Sequence, residues 1–153
     1  MKWQIKKFTD FQAQALYDIL KLRVDIFVVE QNCPYPELDD KDVHADSVHV
    51  CVYADTNELI AYARLLPAGL SYEQVSIGRF LVKQTARNQG LGHQLMQRCI
   101  IEIDKVWPNS DIKIGAQEHL QAFYQQHGFL TLSKPYMEDG ISHVLMLREY
   151  PDA

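Results

Sequence analysis

Residues 75–92 read VSIGRFLVKQTARNQGLG, an apolar run followed by a polar link and two closely spaced glycines. The apolar run is typical of a β-strand, and the residues after the glycines recur at helical spacing. These helical positions are Leu91, Leu95, Cys99, Ile103 and Val106. At such a junction the first helical N–H groups have no partner within the helix, and the helix dipole is positive there. The stretch therefore predicts a phosphate or pyrophosphate site, to which Arg87 adds a full charge.

The same glycines exclude one kind of phosphate loop and leave a structural alternative open. A Walker loop needs GxxxxGK followed by Ser or Thr, and no lysine follows Gly90 or Gly92. A short GxG before a helix can also do no more than close a tight strand–helix turn. Other motifs in the chain must decide between these interpretations.

Working outward from this stretch, turn and capping signals predict the element order βαβββαβαββ. Before it we expect a strand at 3–8, a helix opened by a capping box at Thr9 and Gln12 and running to about Val28, a polar loop at 32–46, and a hairpin of 47–54 with 59–66. After it we expect a strand at 111–115, a helix at 118–127 capped by Gly128, a strand from Phe129, and a hairpin about Asp139 and Gly140 whose far arm is 142–148. This order predicts an α/β (mixed α+β) fold, with a central mixed sheet flanked by helices.

Composition sets further bounds. The chain has 153 residues, 47% of them hydrophobic and 23% charged, which fits a single domain over 1–153. Its three cysteines show no metal-ligand or disulfide spacing, so we expect no metal and a cytoplasmic location. We also expect no signal peptide and no membrane span. The formal net charge of −5 argues against a nucleic-acid partner and permits a cationic small molecule.

Two separated motifs carry a family resemblance. V-x-x-x-x-R-x-x-G-x-G spans 82–92, and F-Y-x-x-x-G-F follows at 123–129. Together they resemble the GCN5-related N-acetyltransferase (GNAT) family, whose sheet is mostly antiparallel. The segments RVDIFVVEQN (23–32), GAQEHL (115–120) and DGISH (139–143) are similar to its ElaA-like subgroup.

The resemblance implies an acyl-CoA-dependent N-acetyltransferase. Such an enzyme moves acetyl from acetyl-CoA directly to a primary amine of a small molecule or peptide, without a metal. It also implies that Tyr124 is the general acid that protonates the leaving thiolate. The residues implied to bind the cofactor are Phe80, Leu81, Val82, Arg87, Asn88, Gln89, Gly90, Leu91, Gly92, Gln117 and Phe123. Asn88, Gln84 and Gln117 depart from the family's commoner glycine, proline and asparagine.

The general base is less certain from sequence. An alkylamine with a pKa near 10.4 is protonated at neutral pH, so the reaction needs a proton acceptor. The candidates are Glu30, His49, His119 and His143. We favour Glu30, because it follows Arg23 and Phe27 at i+7 and i+3 on one predicted helical face beside the polar loop. An Arg23–Glu30 surface pair is an equally good interpretation.

Charged residues near the expected cleft allow two interpretations. Arg64 and Arg79 interrupt apolar runs, so each needs solvent, substrate or a carboxylate partner such as Glu58, Glu73 or Glu102. Strand alternation predicts that Arg79 shares a face with Ile77 and Leu81. The loop carboxylates and Lys41 predict either a negative lip that attracts a cationic acceptor or a solvated face. These carboxylates are Glu37, Asp39, Asp40, Asp42 and Asp46.

Two other functions remain open at this point. One is a non-catalytic module that binds or senses acyl-CoA. The other is an enzyme similar to acyl-homoserine-lactone synthases, which have longer chains. The sequence does not distinguish a monomer from a homodimer, and it leaves open whether Arg64, Arg79 and His143 contact the substrate.

Overall fold

Within residues 1–151, the part of the chain that the computed structural model describes, eight strands form two antiparallel sheets. The first sheet has the order β1-β2-β3-β4, made of Lys2–Lys6, Val48–Tyr53, Leu59–Leu66 and Ser76–Val82. In the second, β8 (Ile141–Arg148) pairs with β5 (Ile112–Gln117), β6 (Leu130–Thr131) and β7 (Tyr136–Glu138). The predicted α/β fold with a mostly antiparallel sheet flanked by helices is confirmed, but the strands form two antiparallel sheets and not one central mixed sheet.

Three α-helices connect and cover the strands of residues 1–151. They are α1 (Ala13–Val24), α2 (Leu91–Val106) and α3 (Gln121–Gln125). Helix α1 continues as a π-helical segment, Asp25–Glu30, and α3 is preceded by a 3₁₀ turn, Glu118–Leu120. Three further 3₁₀ turns lie at Phe8–Asp10, Lys41–Val43 and Gln84–Ala86. None of the described helices is long and apolar enough to cross a membrane.

Two local predictions are wrong. Thr9 lies inside a 3₁₀ turn, and Gln12 precedes α1 without a side-chain capping bond, so the predicted capping box does not form. The strand expected from Phe129 is divided into β6 and β7. Pro135 separates these short strands, because proline cannot donate a hydrogen bond to a ladder.

The first sheet is buried on both faces, since α1 and α2 cover opposite sides. Val48, Val50 and Val52 of β2 pack with α2, in a cluster that includes Leu95 and Ile103. The intervening Cys51 packs with Tyr62 and with Ile19 and Leu22 of α1. This alternation along β2 follows the two-residue period of a strand.

The two sheets meet at one point and then separate. Val75 and Ile112 form an isolated parallel bridge, and the N–H of Lys113 donates to the carbonyl of Val75 at 2.9 Å. Beyond this bridge, within residues 1–151, β4 and β5 form no common ladder. The gap between them is the cleft described below.

A β-bulge changes the direction of the side chains along β4. Tyr62 of β3 lies opposite Leu81 and Arg64 lies opposite Gly78, so three steps along β4 match two along β3. Arg79, at the bulge, has φ +49°. As a result Ile77 packs with the α2 cluster while Leu81 packs with the α1 cluster. The predicted common face of Arg79, Ile77 and Leu81 is therefore wrong, because an extra residue reverses the alternation.

Candidate active site

The gap between β4 and β5 holds a cleft of about 450 Å³. One wall comes from the first sheet and the loop after α1, with Arg64, Arg79 and Lys41. The other wall comes from β5 and the β7–β8 hairpin, with Gly115 and His143. The remaining predicted site residues that line the cleft are Phe80, Gln117 and Tyr124.

The bulge opens the backbone of β4 toward this cleft. Arg79 and Phe80 have no register partner in β3, and β5 has already separated from β4 on the other side. A bulge leaves its extra residue unpaired, so backbone polar groups here are available to a ligand. Leu81 is 4% exposed, with its side chain in the α1 cluster, so it can contact a ligand only through its backbone.

The predicted phosphate loop has the geometry that an anion site requires. Gly90 precedes α2 with φ +77°, a conformation that glycine adopts without strain, and Asn88 has φ +64°. No side chain among residues 1–151 caps this end of α2. Gln89 and Gly90 are exposed, so the first N–H groups of the helix are open to an anion.

Two residues shape the rest of the loop. Arg87 is fixed by a 2.8 Å bond from its Nε to the carbonyl of Val82, and its Nη2 donates to Glu30 at 2.8 Å. A Cβ atom added to Gly92 would lie 3.5 Å from the ring of Phe123 and 3.9 Å from Val82. Leu91 is buried beneath the loop. An uncapped helix end beside an arginine, with a glycine in the first helical turn, fits the pyrophosphate of an acyl-CoA.

Tyr124 of α3 stands between the loop and the cleft. Its ring packs against Phe80, Phe123 and Phe129, and the residue is 9% exposed. Burial, with a smaller effect from Cys99, raises the pKa of the phenol to about 12. The phenol therefore keeps its proton at neutral pH and can act as a donor.

Comparison with known proteins agrees with this geometry. Residues 26–150 match the family model described as Acetyltransferase (GNAT) domain. The chain belongs to the GNAT family. Protein ElaA of Escherichia coli (strain K12) is 40% identical over 149 residues, 97% of either chain.

Two solved structures resemble this GNAT chain over nearly its whole length. The crystal structure of Escherichia coli ElaA superposes with a TM-score of 0.90 at 40% identity, covering 97% of this chain and all of that one. An acyl-CoA N-acyltransferase from Pseudomonas aeruginosa gives 0.91 at 40% identity, over 97% and 99% of the two chains. The protein is thus an ElaA-like, GNAT-type acetyltransferase, with the acyl-CoA binding and acyl transfer that this family implies. A CoA-dependent acyl-homoserine lactone synthase, BjaI, shares the fold alone, with a TM-score of 0.73 at 16% identity over 96% of this chain and 82% of that one.

The favoured base candidate of this GNAT chain does not line the cleft. Glu30 forms its ion pair with Arg87, whereas Phe27 lines the cleft and Arg23 is buried against Glu37 and Asp42. The predicted common face and the Arg23–Glu30 pair are both wrong. The cause is the π-helical segment, where the N–H of Gln31 donates five residues back to Ile26. This wider turn changes the helical spacing on which the prediction depended.

Two histidine candidates are also outside the cleft lining. His49 is 2% exposed, and its Nε2 lies 3.1 Å from the carbonyl of Asp42. Burial lowers the pKa of His49. His119 is exposed in the 3₁₀ turn before α3. Both fit structural roles, as a core histidine and a surface histidine.

His143 is the base candidate that does line the cleft. Its Nδ1 lies 2.7 Å from the carbonyl of Ile141. A carbonyl can only accept, so in the neutral ring Nδ1 carries the proton and Nε2 carries the lone pair. Nε2 lies 3.6 Å from a carboxylate oxygen of Glu138, and the ring stacks on Tyr136. Nε2 can therefore take up a proton beside a negative charge.

Three loop carboxylates are paired with arginines, so the predicted negative lip is wrong. Arg23 binds Glu37 and Asp42 at 2.6 Å each, and Arg64 holds both oxygens of Asp39, at 2.7 and 2.8 Å. Asp40 and Asp46 are exposed. Arg79 completes the cluster with a 2.6 Å bond from its Nε to Glu37.

The partners suggested for Arg64 and Arg79 are also corrected. Glu58 pairs with Lys83, and Glu102 pairs with Arg98 and Lys105. Sequence analysis did indicate that buried arginines need acids. No local pattern, however, showed that the acids would come from a loop that closes over the sheet.

Two tyrosines were not predicted: Tyr72, which lines the cleft, and Tyr136 beside it. The hydroxyls of Tyr72 and Tyr136 both lie 3.0 Å from the position that a Cβ on Gly115 would take. They come from opposite walls and converge over β5. Gly115 had a signal in the sequence, since a glycine within a strand often marks the close approach of another group. Gln117 lies nearby, and its amide donates to Gln31 at 3.3 Å.

Proposed function

We propose that this protein transfers the acetyl group of acetyl-CoA directly to a primary amine of a small molecule or peptide. The observation that carries the proposal is the cleft itself, in which the open backbone of the β4 bulge, the phenol of Tyr124 and the imidazole of His143 line one space. Direct transfer is supported because Cys33, Cys51 and Cys99 are buried and none lines the cleft.

The residues that would hold acetyl-CoA form a continuous path along β4 and into α2. The open N–H groups at the start of α2, with Arg87, suit the pyrophosphate. The backbone of Phe80 to Val82 suits the pantetheine and the acetyl carbonyl, where N–H groups stabilise a developing negative charge. Phe123 and Gln117 border the same path. When bound, acetyl-CoA supplies an activated thioester.

Two side chains divide the proton transfers between them. His143 accepts the proton of the incoming amine at Nε2, and the carboxylate of Glu138 stabilises the resulting positive charge. Tyr124 gives its proton to the departing thiolate, since its phenol is protonated at neutral pH and lines the same cleft. This proposal replaces Glu30 as the base, since Glu30 lies against Arg87.

Release of free thiol from acetyl-CoA with a panel of primary amines tests the proposal. We expect release that depends on the amine, with one new amide for each thiol. Binding of acetyl-CoA by calorimetry without any thiol release would favour the non-catalytic binding module instead.

The role of His143 can be tested with a matched pair of variants. Replacing a general base typically lowers the rate by about 10²–10⁴-fold, so we expect His143→Asn to fall in that range. The exposed His119→Asn is the control and should match the wild type. A rate of His143→Asn equal to that of the wild type would remove His143 from the mechanism.

The three buried, unpaired cysteines of residues 1–151 support a reducing compartment such as the cytoplasm. We propose a small-molecule or peptide amine as the acceptor and neither a nucleic acid nor a membrane as a partner. A monomer and a homodimer are both compatible with this function.

A further inference from the structure

We propose that the acceptor amine also carries a carboxylate, which Arg79 and Lys41 bind on one wall of the cleft while the amine faces Glu138 and His143 on the other. This inference rests on the proposed function and deepens it by naming the acceptor class, an amino-carboxylate. It follows from the unused donors and the charge balance of the two walls.

Arg79 has donor capacity left over. Its Nε donates to the carboxylate of Glu37, and its Nη2 donates to the carbonyl of Glu37 and to Asp39. Within residues 1–151, its Nη1 has no hydrogen-bond partner. The side chain is 20% exposed and lines the cleft, so this group faces a space that a ligand can enter.

The backbone at Arg79 supports a functional role. Its φ of +49° is uncommon for a residue other than glycine. Such strain persists where the surrounding contacts hold it in place, and it is concentrated at ligand sites. Here the contacts are the bonds to Glu37 and the ring of Tyr35, over which the guanidinium lies at 5.5 Å. The strained bulge thus holds the guanidinium of Arg79 at the cleft wall.

Lys41 gives this wall a positive charge that no carboxylate of residues 1–151 pairs. Glu37, Asp39 and Asp42 are taken up by Arg23, Arg64 and Arg79, and the exposed Asp40 and Asp46 of the same loop do not line the cleft. Lys41 lines the same cleft and makes no ion pair within residues 1–151; its Nζ donates to the hydroxyl of Ser71 at 2.8 Å.

Lys41 and Arg79 also donate hydrogen bonds to the same carboxylate. The backbone N–H of Lys41 and Nη2 of Arg79 both bond to Asp39. A carboxylate supplies one negative charge and about four lone-pair sites, which matches the unused Nη1 of Arg79 and the unpaired ammonium group of Lys41.

The opposite wall has the opposite character. Glu138 and Asp139 line the cleft together with His143, and Glu138 is the carboxylate nearest to Nε2. An ammonium group would be drawn to this side and would find its proton acceptor there. The charges of the two walls therefore favour one orientation for a molecule with one amine and one carboxylate.

The experiment compares acids with their uncharged matches. Free-thiol release from acetyl-CoA is measured with α-amino acids, ω-amino acids and dipeptides, and with the carboxamide of each, which keeps the size and removes the charge. A charge-assisted hydrogen bond contributes about 1.5–3 kcal/mol, so kcat/KM for the best acid should exceed that of its carboxamide by about tenfold or more.

Two variants locate the preference. Lys41→Gln should reduce the acid-to-carboxamide ratio by about tenfold, because it removes the unpaired charge. The exposed Lys134→Gln removes a lysine outside the cleft and should keep the wild-type ratio.

The possible failures are distinguishable. Equal rates with acids and carboxamides in the wild type would overturn the amino-carboxylate inference and leave amine acetylation standing. An unchanged ratio in Lys41→Gln would overturn the assignment of the carboxylate to this wall. Absence of thiol release with every amine, charged or not, would instead count against the proposed function.

Discussion

The phenol of Tyr124 is enclosed by the rings of Phe80, Phe123 and Phe129, and the residue is 9% exposed. The same enclosure does two things, because aromatic packing fixes the ring and loss of water raises the pKa of the hydroxyl to about 12. His143 is fixed differently, by the bond between Nδ1 and the carbonyl of Ile141. The local environment thus keeps the proton on the phenol of Tyr124 and leaves Nε2 of His143 as the position that can receive one.

Tyr124→Phe tests this environment at the level of one atom. The substitution keeps the ring and removes the hydroxyl, so the melting temperature should stay close to that of the wild type. If protonation of the thiolate limits turnover, kcat should fall by about a hundredfold or more, the lower range for general acid catalysis. Steady-state kinetics at saturating acetyl-CoA measures the change. An undiminished kcat would leave Tyr124 as a packing residue.

At the scale of elements, the loop between α1 and β2 closes over the first sheet through buried ion pairs. Arg23, Arg64 and Arg79 come from α1, β3 and β4, and all three bind carboxylates of this one loop. Removing a single partner from such a cluster leaves an unpaired buried charge, which is strongly destabilising. The cluster therefore holds the loop as one wall of the cleft.

The cluster also makes the free energy of unfolding depend on pH in the acid range. Burial alone would raise the pKa of Asp39, but the hydrogen bonds and charge of Arg64, with the charge of Arg79, outweigh it and lower the pKa to about 2. A carboxyl group whose pKa is lower in the folded state stabilises that state above its unfolded pKa of about 3.9 and loses this contribution as the pH falls toward 2. The expected contribution of Asp39 at neutral pH is on the order of 2 kcal/mol.

Urea unfolding between pH 2 and pH 6 measures this contribution. Asp39→Asn should have a free energy of unfolding that is lower near neutral pH and that falls less steeply between pH 4 and pH 2. The neighbouring Asp40→Asn is the matched control, because Asp40 is exposed and should leave the pH dependence unchanged. Parallel curves for wild type and Asp39→Asn would contradict the argument.

At the scale of the whole molecule, two sheets diverge from the bridge between Val75 and Ile112. The core continues across this junction, since Ile77 of β4 and Ile114 of β5 belong to one buried cluster. Because these strands separate, the edges of β4 and β5 that face each other form no ladder within residues 1–151. A ligand that occupies this gap contacts both sheets together.

Ligand binding should therefore stabilise the entire fold. A ligand at 100 times its dissociation constant adds about 2.7 kcal/mol to the stability of the state that binds it. For a chain of this size, that corresponds to a rise in melting temperature of roughly 5–10 °C. Thermal unfolding with and without acetyl-CoA measures the rise.

Gly92→Val tests whether the rise depends on the start of α2. A valine side chain there would lie against the ring of Phe123 and occupy space that the pyrophosphate needs to reach the backbone. The rise in melting temperature with acetyl-CoA should therefore be largely lost. Gln94→Val changes an exposed position two residues further along α2 and should retain the rise. A full shift in Gly92→Val would show that acetyl-CoA binds elsewhere.

Local patterns in the sequence were sufficient for most of the elements and for the phosphate loop. The apolar period of 91–106 and the glycines before it depend on residues close together in the chain, so α2 and its open N-terminus could be predicted. Tyr124 and the cofactor-loop residues were proposed from a family resemblance carried by two short motifs, and their roles stay predictions. The order of helices and strands along the chain could be predicted from local signals, except that the strand from Phe129 is divided in two.

Tertiary structure alone decided which charged and basic residues meet in the cleft. Arg79 and Glu37 are 42 positions apart, and their contact depends on the β4 bulge and on the fold of the loop. The π-helical segment moved Glu30 to Arg87, while β8 brought His143 to the cleft. The physical reason is one of range: hydrogen-bonded periods and caps act over a few residues, whereas a bulge, a widened turn or a buried ion pair depends on which distant segments the core packs together.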